Sequence, residues 1–255
     1  MKPGSSLASF LTGVAMFLLL WLLAAALINR PILPSPLAVL PLFGRLILAE
    51  LGLHFLASAG RVLAAILLAV ATAVPAGLAL GQLPALNRLF APLIAIVYPI
   101  PKIVLLPVIY VLMGITDLSK IFLIALIIFF PIMVVVRDEA AGLHHDLIMS
   151  VRSLGAGRRA LFRYVYLPAS LPAVLTALRV SIGTAVAVLF IAEQSLTTYG
   201  LGYYIVVETY QILLYPQMYA GILGMSLLGL LLYFAVYGLE RRINRHRRLE
   251  EGPAS

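Results

Sequence analysis

"LASFLTGVAMFLLLWLLAAALI", Leu7 to Ile28, contains no charged residue and no proline. A helix needs about 20 apolar residues to cross a hydrocarbon core, and this run has that length. A cleaved signal peptide would also follow a cation such as Lys2 and reach small residues near its end. Its apolar core, however, runs to only about 7–15 residues. The stretch therefore reads as a retained transmembrane helix, and the rest of the chain agrees. Of 255 residues, 63% are hydrophobic and 11% charged, with a mean hydropathy of +1.08. Soluble domains carry about 25% charged residues. The expected class is an all-α integral membrane protein.

The chain contains no cysteine, which excludes a disulfide framework and thiolate metal sites and leaves the redox compartment open. The net charge of +8 does not point to nucleic acid, because the cations cluster beside apolar spans, where they act as topology signals.

About six spans follow from the pattern: 7–28, 59–83, 91–113, 121–136, 171–192 and 218–239. Three prolines in "NRPILPSPLAV" make Asn29 to Val39 a loop, and Leu40 to Leu56 reads as an interfacial amphipathic helix with Arg45, Glu50 and His54 toward its wet side. Gly77 and Gly81 in the second span form GxxxG, a spacing that permits close helix approach. The third span carries Pro92, Pro99, Pro101 and Pro107. It must be kinked, and its freed carbonyls need partners other than lipid. A cytoplasmic N-terminus places Lys2, Arg88, Arg137, Arg152, Arg158, Arg159, Arg163 and the tail arginines inside, against Arg30, Arg45, Arg61 and Lys120 outside. Both termini are then cytoplasmic. The domain reading is one transmembrane unit, 1–255, with a loop over 137–170 and a basic tail over 240–255.

The loop is too long for a tight turn and too apolar for a linker. Leu147, Ile148, Val151 and Leu154 recur at one-face helical spacing. Gly155 and Gly157 let the chain bend, and a second short helix over 158–166 is expected to end before Pro168. Two short helices joined at a glycine form a knob that suits a partner's groove. A basic loop lying on anionic lipid is the other reading.

The loop also resembles the cytoplasmic motif of permease subunits in bacterial binding-protein-dependent ABC importers: E-A-A, three residues, G, nine residues, I-x-L-P. Here Gly155 is followed by Ala156 to Tyr164 and then Val165-Tyr166-Leu167-Pro168. The E-A-A positions hold Met149, Ser150 and Val151, and the literal "EAA" at Glu139 to Ala141 is out of register. Across nearly the whole chain, "PSPLAVL", "YPIPKIVLLPVIYVLMGITDLSK", "SLGAGRRALFRYVYLPASLPAVLTALR" and "AEQSLTTYGLGYYI" resemble the nitrate, taurine and alkanesulfonate branch.

The resemblance implies that Arg152, Ser153, Leu154, Gly155, Ala156 and Arg158, with Leu167 and Pro168 closing the motif, couple the chain to a cytoplasmic ATP-binding subunit. ATP and magnesium would be bound there; no cofactor is expected in this chain, which has no GxxxxGK[ST]. It further implies a second permease copy, an extracytoplasmic substrate-binding protein, and a place in the bacterial cytoplasmic (inner) membrane. The solute would be a small anion such as a sulfonate, taurine or nitrate.

Ionisable residues inside spans are functional candidates by default. Lys102 is either an electrostatic contact for an anion or a lysine held by carbonyls freed at the prolines. Arg179 either lines the pathway or snorkels to the interface. Glu193 and Gln194 either rim a cavity or cap the following loop. Glu193 and Arg179, fourteen residues apart, are separated by about 21 Å on one helix and cannot pair within a protomer. The aromatic residues of "TTYGLGYYI" suit an interfacial belt, or a gate. His144 and His145 are neighbours that point apart, so no metal site is expected, and no nucleophile–base motif marks an enzyme. A secondary transporter or channel remains the alternative function, although no span carries a mid-membrane Asp or Glu.

Overall fold

The computed structural model describes residues 3–143, 145–194 and 197–243, apart from the side chains of residues 3–7, 145, 147 and 158. His144 and the basic tail beyond Ile243 lie outside that set. Of the described residues 86% are helical, and none is in a strand. Among the described residues five helices have the length and apolar composition to cross a membrane, and a sixth crossing is supplied if one bent pair counts as a span. Two compact units are formed, one from residues 1–58 and 193–227, the other from 59–192 and 228–255.

The first unit begins with α1, Pro3–Ile28, whose Leu11, Met16, Phe17 and Leu20 are exposed, as suits a helix bathed in hydrocarbon. Asn29 ends it at φ +42°, a left-handed position that asparagine tolerates. The indole Nε1 of Trp21 donates to Pro34 O at 3.0 Å, and its ring stacks on Tyr219 at 5.7 Å, fastening the connection to α2, Pro36–Leu46. Proline at the first position of α2 costs no hydrogen bond. The expected interfacial helix over 40–56 is divided: α2 stops at Leu46, and α3, Glu50–Gln82, starts after a three-residue break. His54, expected on the wet side, is instead buried. Amphipathic spacing marks a polar position without distinguishing water from a protein partner, and here the partner is the segment after α9.

In the second unit the remainder of α3 packs on α6, Asp117–Ala141. Any Cβ on Gly77 would lie 2.6 Å from Met133 O, and any on Gly81 2.6 Å from Arg137 O. GxxxG is thus used for backbone-to-backbone approach. The proline-rich third span is not one kinked helix. It comprises α4, Pro84–Val97, a 3₁₀ turn at Lys102–Leu105, and α5, Leu106–Met113, with an 83° bend between them. Pro99 and Pro101 lack the N–H groups that would continue α4, so the helix cannot run through. Helix α6 opens on a capping box in which Thr116 Oγ1 accepts from Ser119 N and Ser119 Oγ accepts from Thr116 N.

The arginine-rich loop contains α7, His145–Ser153, and α8, Arg158–Leu161. It does not stop at Leu-Pro. A π turn, Phe162–Tyr166, passes directly into α9, Leu167–Glu193. Pro168 would clash with the carbonyl four residues back in a tight α turn, and the wider turn just before it relieves that crowding. After α9 come α10, Leu201–Tyr203, a π turn at Tyr204–Tyr210, and α11, Tyr215–Ile243. Helices α3, α6, α9 and α11 outrun the apolar spans because backbone hydrogen bonding does not end where hydrocarbon does.

Replacing Gly77 or Gly81 by leucine should lower stability by about 1–3 kcal/mol or more, as overpacking does, seen as a lower melting temperature in detergent. Gly183→Ala, where a Cβ meets nothing within 4 Å, should leave it unchanged or raise it.

Candidate functional site

The loop expected to meet a partner is open on the side that matters. Gly155 sits at φ +83° with nothing within 4 Å of a would-be Cβ, and the space at Gly157 is equally open. The Gly155 N–H donates to Arg152 O at 2.9 Å, closing α7 into a left-handed turn that an L side chain occupies only with strain. Ser153 Oγ donates to Ser150 O at 2.8 Å. The turn presents Leu154, 86% exposed, with Met149, Arg152 and Ser153 exposed beside it. Ala156 is half-buried, and Arg158 opens α8. On the other side Leu161, Val165 and Tyr166 are buried, so the knob is anchored by one face and offers the other. Leu167 and Pro168 begin α9, half-buried and exposed respectively. Met149 and Ser150, at degenerate motif positions, are exposed on α7.

Lys102 shows the second of its two expected geometries. Its Nζ donates to Val97 O and Tyr98 O at 3.0 Å and to Ile100 O at 3.2 Å, and lies 4.4 Å from the Phe130 ring centroid. Val97 O is the carbonyl whose helical donor would have been residue 101, a proline. An ammonium has three N–H donors, and all three are spent on the bend. Close by in the chain, Tyr110 Oη donates to Ala192 O at 2.9 Å, tying α5 to the last turn of α9.

Arg179 pairs with the final turns of α11. Its Nε lies 3.1 Å from Glu240 Oε2, close enough for an ion pair, although the angle does not make a hydrogen bond. Its guanidinium sits 5.9 Å from the ring centroids of Tyr233 and Tyr237. Thr176 donates to the other oxygen of Glu240 at 2.9 Å.

Glu193 is fully buried. Its Oε2 accepts from Ser58 Oγ at 2.7 Å and from Gly202 N at 3.1 Å, which caps the loop rather than opening toward water. Gln194 follows in a bend, half-buried. In the same unit His54 Nδ1 contacts both backbone atoms of Gly200, O at 3.1 Å and N at 3.2 Å, and its Nε2 lies 3.4 Å from Glu208. The rings of Tyr199, Tyr203 and Tyr204 surround it. Burial, and then the Glu50 carboxylate, push the Tyr204 phenol above its ordinary range, so it stays a neutral donor.

Sequence reasoning missed one charged cluster. Arg61 reaches Asp117 Oδ1 through Nη2 at 2.7 Å and Nε at 2.8 Å, and Lys120 Nζ lies 3.8 Å from the same oxygen. Counting charges by side of the membrane places Arg61 and Lys120 at outer span edges and says nothing of their pairing. The available signal was the D-x-x-K spacing at the start of α6, which puts both residues on one helix face.

Residues 65–246 match the family described as "Binding-protein-dependent transport system inner membrane component". The taurine transport system permease protein TauC of Escherichia coli (strain K12) is 33% identical over 76% of this chain and 70% of its own length. The putative aliphatic sulfonates transport permease protein SsuC of Bacillus subtilis (strain 168) is 28% identical over 98% and 93%. The formylaminopyrimidine transport permease protein ThiX of Halalkalibacterium halodurans is 30% identical over 88% and 90%. A solved structure of the inward-facing MetNI methionine ABC transporter covers 74% of this chain and 94% of its own, with a TM-score of 0.61 at 20% identity; it shares the fold.

Lys102→Met should strip the bend of its donor. Carbonyls left without a donor away from water cost about 1–3 kcal/mol each, so thermal unfolding in detergent should shift down, while Arg88→Met, at an exposed position, should leave it unmoved.

Proposed function

This chain belongs to the family of binding-protein-dependent transport system inner membrane components, in the taurine and sulfonate branch of ABC importer permeases, and on that premise we propose that the Leu154–Gly155 knob is the handle by which a separate ATPase drives it. The chain is a multi-pass permease subunit of the inner membrane. The observation that carries the coupling role is Leu154, an apolar side chain held 86% exposed on a left-handed glycine turn whose surroundings are empty. Such a side chain gains by burial in a partner's groove, about 1.5–3 kcal/mol for a full leucine. Arg152 and Ser153 frame it with charge and hydrogen-bonding capacity, while Leu161, Val165 and Tyr166 tie the knob to its own helices. The missing E-A-A glutamate removes one anchoring contact and leaves the apolar one.

In this reading the N- and C-termini and the knob face the cytoplasm, and residues 1–255 act as one permease unit paired with a second copy. Two ATP-binding subunits hold the nucleotide and magnesium. Their closure moves the knobs, and the helices alternate between outward- and inward-open arrangements while an extracytoplasmic binding protein delivers the solute. The solute is a small anion of the sulfonate, taurine or nitrate kind; the names of the TauC and SsuC relatives support this class. Lys102, Arg179, Glu193 and Gln194 contribute to the pathway by shaping its walls, since the first three already spend their polar groups on partners within the chain.

Purification from native membranes in mild detergent should return two copies of this chain with two of a Walker-motif protein by native mass spectrometry. A chain that stays without an ATPase under several mild conditions would overturn the importer assembly. Gly155→Pro and Gly155→Glu should abolish uptake at equal expression and membrane insertion. Leu154→Asp should weaken ATPase association about tenfold or more, the equivalent of one lost leucine contact. Uptake of radiolabelled taurine by the intact complex tests the solute class.

A further inference from the structure

The segment after α9 is held by a polar arrangement of which the transport reading uses only Glu193, and only to shape a wall. The N–H of Leu201 donates to Ser58 Oγ at 2.8 Å, and Ser58 Oγ in turn donates to Glu193 Oε2 at 2.7 Å. The same carboxylate oxygen accepts from Gly202 N at 3.1 Å. One oxygen thus gathers a serine of α3 and a backbone N–H of α10, while the serine takes the neighbouring N–H. Glu193 and Ser58 are both fully buried. The turn that delivers the two N–H groups depends on Gly200, at φ +136° and ψ 155°, a conformation open in practice only to glycine.

The rest of the segment divides sharply. Leu201, Tyr204, Ile205 and Thr209 are buried, whereas Tyr199, Tyr210, Ile212 and Leu213 are exposed. Thr209 Oγ1 donates back to Tyr204 O and Ile205 O at 3.0 and 2.9 Å, so residues 201–210 hold together as one helical piece. Gly221 of α11 lets that piece lie flush: a Cβ there would be 2.7 Å from Ile205 Cγ1. The piece is therefore internally rigid and seated on a smooth glycine face. Its short backbone fastenings lie at the N-terminal end, from Glu193 with Ser58 and, on the preceding residue, from His54. The longer contacts of Tyr204 Oη with Glu50 at 3.5 Å and of His54 Nε2 with Glu208 at 3.4 Å lie further along it.

We propose that Glu193 is a positioning residue, the pin of a clasp that holds the helical piece 201–210 against α3 through Ser58, and that it does not contact the solute. Loss of the pin frees the piece as a unit and leaves the remaining helices as they are. Its full burial argues against solute contact, and the sharing of Oε2 between two elements is what a clasp requires. Glu193 and Ser58 each hold one backbone N–H and also bond to each other, so removing both should cost less than the sum of the two single losses, the signature of a coupled interaction.

The absence of native cysteine makes a labelling test clean. Ile205→Cys, in the piece, and Ala73→Cys, a buried position in α3, are each placed alone in the full chain. Modification by a small maleimide is then timed in permeabilised membranes. Glu193→Leu, which removes the acceptor at similar volume, and Ser58→Ala should each speed labelling at position 205 by at least about tenfold, which is about 1.4 kcal/mol of lost protection, with position 73 unchanged. The double variant should fall short of the sum of the singles, and Ser58→Thr, which keeps the hydroxyl, should restore protection. Unchanged labelling at 205 in both variants would overturn the clasp, as would additive effects. An equal rise at 73 in Ser58→Ala, the milder change, would overturn it by making the residues general supports of the fold. The measurement needs neither ATPase nor solute, so its failure leaves the importer reading untouched.

Discussion

Backbone polar groups with no water to bind must find partners inside the protein, and the irregular parts of this chain are organised around that demand. At three places where a helix is broken or started, side chains stand in for the missing groups. Lys102 supplies the donor that Pro101 lacks to Val97 O. Thr116 and Ser119 exchange hydrogen bonds at the start of α6. Ser58 and Glu193 receive the first N–H groups of α10. The polar residues inside this greasy chain are mainly explained by the backbone, which is why so few of them look like a binding site.

The same demand changes what a charge in a membrane span means. Lys102, Arg179 and Glu193 are all candidates for the pathway on sequence, because an ionisable group in hydrocarbon is costly. In the fold each is occupied locally. The lysine holds three carbonyls, the arginine meets Glu240 and two tyrosine faces, and the glutamate takes a serine and a glycine N–H. The cost is offset by partners within the chain, so a charge in a span signals a constraint before it signals a ligand.

The sequence made much of this legible and hid the rest for physical reasons. Helical class and membrane residence follow from long apolar runs, and the knob from glycines and arginines at definite spacing. The proline cluster announces a disturbed third span but not its size, since whether Pro99 and Pro101 produce a kink or an 83° bend depends on what can cap the freed carbonyls. Leu-Pro at 167–168 suggests a helix end, and instead the chain widens into a π turn and continues, an option that no residue spacing reveals. The spacing of His54 fits a water-facing position on an amphipathic helix, while its backbone partner lies 146 residues away along the chain. The clasp is half visible: Glu193 is expected either to cap the loop or to rim a cavity, and Ser58 gives no signal at all.

The π turn at Phe162–Tyr166 has a rotational meaning. A π turn takes up one residue more than an α turn, and each residue of an α-helix advances the helical phase by about 100°. The knob residues before it are therefore displaced by roughly that angle from where an unbroken α-helix with α9 would have pointed them. The azimuth at which Leu154 is offered is thus set by one surplus residue near Pro168. A relative with a regular α turn in its place would aim the same leucine at a different quarter of the compass, with no change in the motif itself.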